Sequence, residues 1–172
     1  MSESMGDSER RKNEADDVPS FEDVLKVVSK PREEATVMAE ELGKRFSQEQ
    51  LSSVIKDAII QMLDRGDFGW PKFALELFPF VELDNDIKNA AKKVLLKKIG
   101  TQSGGESEIF RIMRWFDISK DYLQTKLVKE KVQIAIINFI KRGDENLARQ
   151  TAFDDFGLTE DEYNILKSEA KS

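Results

Sequence analysis

The apolar residues of this chain recur every three or four positions, segment after segment, and almost nowhere alternate strictly with polar ones. That spacing places them on one face of helices, not on one face of strands. In "FEDVLKVVS", Phe21, Val24, Leu25 and Val28 fall on one side behind Ser20, a natural N-cap, and Pro31 ends the segment. Pro31 also suits the start of the next helix, "PREEATVMAEELGKRF", whose Glu33 and Glu34 complement the positive end of the helix dipole. Ser47 and Gln50 form a capping box ahead of a stripe of Leu51, Val54, Ile55, Ala58, Ile59, Met62 and Leu63. Next come a short helix from Pro71 to Pro79, one capped by Asp84 and closed by Gly100, the short "EIFRIMRWF", and a long helix from Ser119 to Gly143; a last one sits behind a Thr159/Glu162 box. The expected fold is all-α with eight or nine helices in one domain over residues 20–172. Residues 1–19, with little to bury, are expected to form a disordered polar tail.

Three of the shorter segments end alike, in an apolar residue, a spacer, another apolar residue and a cap: Val81-Glu82-Leu83-Asp84, Phe116-Asp117-Ile118-Ser119 and Phe156-Gly157-Leu158-Thr159. Phe46-Ser47 repeats the second half, so caps fall at 47, 84, 119 and 159, spaced by 37, 35 and 40 residues. Such a period is the mark of stacked helical hairpins, since one hairpin cannot bury its stripe without a neighbour. Arg-Gly-Asp occurs twice, at 65–67 and 142–144, each time behind a helical stripe. Glycine suits the left-handed residue after a last turn, arginine suits the negative helix end, and Asp67 and Asp144 are placed to cap the next helix. The tripeptide therefore reads as the end of a helix and not as an adhesion ligand.

Residues 47–171 resemble an α-solenoid of HEAT-type or related helical-hairpin repeats, a likeness carried by "IIQMLDRGDFGWPKFALELF" and "AIINFIKRGDENLARQTAFDDFGL". The likeness is to an architecture; the tetratricopeptide Trp-Leu-Gly-Tyr series is missing. It implies a short right-handed solenoid of about four hairpins, a scaffold with an exposed groove, and it transfers no catalytic residues. A compact helical stack is the alternative architecture.

Composition narrows the chemistry. The chain has no cysteine and no histidine, which removes thiolate nucleophiles, the commonest zinc ligands, and Ser-His and Cys-His pairs. No catalytic residue, cofactor or metal site is expected, and a small-molecule substrate is not. "GTQSGGES" at 100–107 lacks the lysine and the preceding strand of a phosphate-binding loop, and neither "DNDIK" nor "DDFGLTEDE" has the order of a calcium loop. No apolar run is long enough to cross a membrane, and "MSESMGDSERRKNEADDVPS" has no apolar signal core, so an intracellular, cytoplasmic location is expected.

Charge is distributed unevenly. Residues 88–142 hold 13 Lys or Arg against five Asp or Glu, although the whole chain carries a net charge of −6. Lys88 and Lys92 lie on one shoulder of a buried stripe and Lys93 and Lys97 on the other, with Arg111, Arg114 and Trp115 on the next segment. These seven residues are the candidate partner-binding or polyanion-binding set. As a phosphate-binding patch they point to nucleic acid or to anionic lipid head groups, with Trp115 available to stack; as a solvated face they are balanced by acidic flanks of the same chain, with Trp115 in the core. The expected function is a non-enzymatic adaptor module that binds a protein, with nucleic-acid association through 88–142 as the alternative.

Overall fold

The structure, a computed structural model, describes residues 18–101 and 108–172. The expected N-terminal tail and the Gly/Ser link fall almost wholly outside those residues. Among the described residues the protein is all-helical, with nine α-helices and no strand. They are α1 (Phe21–Val28), α2 (Arg32–Arg45), α3 (Gln48–Asp64), α4 (Gly69–Leu77), α5 (Asn85–Lys98), α6 (Glu108–Trp115), α7 (Lys126–Arg142), α8 (Glu145–Arg149) and α9 (Glu160–Lys171).

The helices form where local hydrogen bonds favour them. Ser20 and Asp23 make a reciprocal capping box on α1, Ser47 and Gln50 one on α3, and Thr159 and Glu162 one on α9. Asp84 accepts from the N–H groups of Asp86 and Ile87 at the start of α5. α4 begins two residues ahead of Pro71, because the Asp67 carboxylate accepts from the N–H groups of Gly69 and Trp70. Pro71 then occupies the first turn, where no N–H is needed.

Both Arg-Gly-Asp stretches close a helix in the same way. Gly66 (φ +90°) and Gly143 (φ +84°) are left-handed; Gly66 N–H donates to Leu63 O and Asp67 N–H to Met62 O, and Gly143 and Asp144 repeat this with Ile140 and Phe139. These are paired bonds of the Schellman type. The same device explains part of the recurring apolar-spacer-apolar signature. Asp117 is left-handed (φ +48°), and Ile118 N–H reaches back to Met113 O with both side chains buried. At the third instance Gly157 is left-handed (φ +62°) and Leu158 N–H reaches Ala152 O.

Two local expectations need correction. The helix expected from Ser119 to Gly143 is interrupted: Lys120–Gln124 is a 3-10 turn, and Thr125 is extended (φ −65°, ψ 147°) before α7 begins. Thr125 donates its N–H and its hydroxyl to Tyr122 O, closing the turn. The break sets the phase of α7, so that Val128, Val132, Ala135, Ile136 and Phe139 are buried while Leu127 is left exposed. Asp144 sits at the N-cap position of α8, but its side chain makes no cap bond. Between α8 and α9 the chain adopts a π-helical turn, Gln150–Asp155.

The chain gathers into two compact units. The first takes the described residues up to Ile59 together with Phe73–Glu82. Here α1 packs on α2, with Val24, Ala35, Ile55, Ala74 and Phe78 almost fully buried. Arg32 pairs with Glu76 at 2.6 Å and lies over Phe73. The second unit takes Ile60–Lys72 and the described part of Leu83–Ser172. In it α5 packs on α6, and α7 packs on α8 and α9. Its core includes Ile87, Leu95, Ile109, Ile112, Phe116, Ile136 and Tyr163, each such aliphatic or aromatic residue contributing roughly 1.5–3 kcal/mol when removed from water. Gly100 (φ +83°) brings the end of α5 so close to α7 that a Cβ there would meet Ala135 Cβ at 2.8 Å.

Candidate interaction surfaces

Helix α5 buries Ile87, Ala90, Ala91, Val94 and Leu95, which forces its lysines to the two shoulders of that stripe. On one shoulder Lys88 pairs with Asp117 Oδ2 at 2.7 Å, and Lys92 lies 5.3 Å from the Tyr122 ring centre. On the other, Lys93 is 3.5 Å from Asp64 Oδ1, and Lys97 donates to the Asp64 carbonyl at 2.9 Å. The seven candidate residues therefore belong to separate neighbourhoods of the second unit. Exposed pairs of this kind add little to stability, and they bring negative charge beside the lysines.

Trp115 and Arg111 belong to a third neighbourhood, built round Phe68. The Phe68 and Trp115 rings are 5.6 Å apart, and Lys98 and Arg111 lie 5.3 and 5.9 Å from the Phe68 centroid. Lys98 also pairs with Glu108 at 3.1 Å, its stem lying along the apolar side as its position on the helix requires. Trp115 is half-buried there, and Arg114 is exposed. The indole is used for packing against the residue just past the first Arg-Gly-Asp stop.

Two grooves flank α7. Between α7 and α9 lies a cavity of about 270 Å³ whose apolar lining is Leu123, Val132, Phe156, Leu158, Ile165 and Leu166, with Lys129, Glu162 and Glu169 among its polar residues. Ile165 is 59% exposed at this cavity, an isoleucine that the core of the second unit does not cover. Between the end of α5 and α7 lies a second groove, of about 210 Å³, lined by Lys97, Lys131, Asn138 and Arg142 and by Ile134, which is 55% exposed. Ile134 and Ile165 were legible as outliers: each sits off the stripe its own helix buries, Val132-Ala135-Ile136-Phe139 for one and Tyr163-Leu166 for the other. Lys131 and Arg142 lie inside the basic stretch, but only the orientation of α7 assigns them to a groove.

The perturbed carboxyls are held by local partners. Hydrogen bonds from Ser20 lower Asp23, the Lys88 ammonium lowers Asp117, the Lys167 ammonium lowers Glu145, and the backbone and hydroxyl of Thr159 lower Glu162. Pairing with Glu145 in turn raises Lys167, and burial raises Tyr122 and Tyr163. Among the described residues no group of three or more carboxylates is arranged to hold a metal ion, and no helix is long and apolar enough to cross a membrane. The chain matches no protein-family model, no curated protein and no solved structure.

Proposed function

We propose that the protein is a non-enzymatic interaction module, a scaffold of stacked helical hairpins of HEAT-like character, whose partner is another protein. The observation that carries this reading is the α7–α9 cavity, with its apolar lining and Ile165 held 59% exposed beside it. A concave site that mixes these apolar side chains with Gln124, Lys129, Gln133, Glu162 and Glu169 suits a large apolar side chain of a partner flanked by polar groups, and such anchors supply most of the energy of protein interfaces. Nucleic-acid association has less support, because Lys88 and Lys93 are engaged by Asp117 and Asp64 and Trp115 leans on Phe68.

The test is affinity capture with the full chain and with Ile165→Asp, each shown by circular dichroism to keep its helical content. Partners retained by the wild-type protein and released by Ile165→Asp support the reading. An identical set on both proteins, or none on either, counts against it.

A further inference from the structure

We infer that the groove between α5 and α7 is a docking site for an acidic amphipathic segment of a partner protein, gripped by Lys131 and Arg142 along α7 and by Lys97 from the α5 wall. The inference rests on the interaction-module reading and adds the chemistry of the partner.

Lys131, Ile134, Asn138 and Arg142 fall on one face of α7. The two cations are eleven positions apart, about 16 Å of helix, and the offset round the axis is only about 20°. The groove is thus a strip, cationic at both ends with Ile134 and Asn138 between them, Ile134 being 55% exposed. No carboxylate lines it among the described residues. Lys131 and Arg142 are exposed, and their side chains make no hydrogen bond, ion pair or ring contact with any described residue. Among the described residues Lys97 is held only by a carbonyl, that of Asp64, whose carboxylate lies instead 3.5 Å from Lys93. In an acidic protein, three cations left without lining carboxylates along one strip form a complement to negative charge.

The spacing selects the class of ligand. A single phosphate needs its cations converged, and these stand at the two ends of the strip. Single-stranded nucleic acid needs aromatic faces on which to stack bases, and the one aromatic residue here, Phe139, is 5% exposed. A helix with two carboxylates two turns apart, about 11 Å, and an apolar residue between them matches the strip once the Lys and Arg side chains reach inward. Arg142 can take one carboxylate bidentately.

The test uses the full chain and a labelled acidic peptide of about 15 residues, long enough to form helix when bound, with two glutamates two turns apart and a leucine between them. Fluorescence anisotropy reads affinity, and amide chemical shifts read the site. Shifts confined to 96–100 and 131–142 are expected, with at least about a tenfold loss of affinity in the Lys131→Glu, Arg142→Glu double variant and weakening as salt rises. The milder Lys131→Gln, Arg142→Gln pair should move affinity the same way, while Lys120→Glu, at the start of the 3-10 turn before α7, leaves it unchanged. No binding, or shifts that map elsewhere, overturns the inference, and tighter binding of oligothymidylate to the same residues overturns it in favour of nucleic acid. Failure here, with partners still released by Ile165→Asp, leaves the module reading standing and removes only this site.

Discussion

One helix, α7, supplies a wall to two unlike grooves. Towards α9 it offers Val132, and the wall opposite is Ile165 and Leu166. Towards α5 it offers Lys131, Ile134 and Arg142, and the wall opposite is Lys97 and Gly100. The α7–α9 cavity is a mixed apolar and polar recess at the edge of the core that α9 leaves partly uncovered; the cationic strip lies where a glycine lets two backbones approach. A helix need not be amphipathic in the simple sense to serve as a scaffold, because its neighbours decide what each flank becomes.

The largest effect is expected where α7 faces α9. Leu166 is 5% exposed, so Leu166→Ala should cost about 2–4 kcal/mol in urea unfolding, from lost burial and the enlarged cavity. On the cationic side Gly100→Ala combines a left-handed φ with a Cβ 2.8 Å from Ala135 Cβ, and about 2–3 kcal/mol is expected. Gly143→Ala sharpens this result, since it shares the positive φ with nothing within 4 Å; about 1 kcal/mol in the same measurement would isolate the close approach as the remainder. Ile165→Ala should change stability by less than about 0.5 kcal/mol, because the side chain is mostly solvated, while weakening partner capture.

The smallest effect concerns pH. The cap bonds to Thr159 hold Glu162 below the ordinary glutamate value in the folded chain. Its stabilisation is therefore fully present above the unfolded value and disappears as pH falls through the lower folded one. Glu162→Gln should be slightly less stable than wild type at neutral pH and equal to it in acid, giving a shallower loss of stability between those limits. An unchanged slope in a pH series of unfolding curves would show that the capping carboxylate adds nothing.

Much of the fold was readable because its signals are local. Ser20 with Asp23, Ser47 with Gln50, and Thr159 with Glu162 are each three residues apart, and their hydrogen bonds form inside a single turn. The interruption at Thr125 was not readable, because a 3-10 turn and a continued helix differ little locally and the choice falls to which face of α7 must bury Val128 and Val132. The π-helical turn at Gln150–Asp155 was hidden likewise. The shoulders of α5 were foreseen, and so was pairing with acidic residues of the same chain, but not which ones: Lys88 finds Asp117 and Lys93 finds Asp64, both far along the chain. Sequence spacing gives the direction of a side chain and says nothing of what the fold brings to meet it.

The closed ends of α3 and α7 bear on how their shared tripeptide behaves. Asp67 and Asp144 each return their amide proton to a carbonyl five residues back, so the main chain there is curled and tethered. A receptor that grips arginine and aspartate splayed from a pliant, stretched loop would first have to unpick two such bonds, and those protons should be slow to exchange with solvent deuterium.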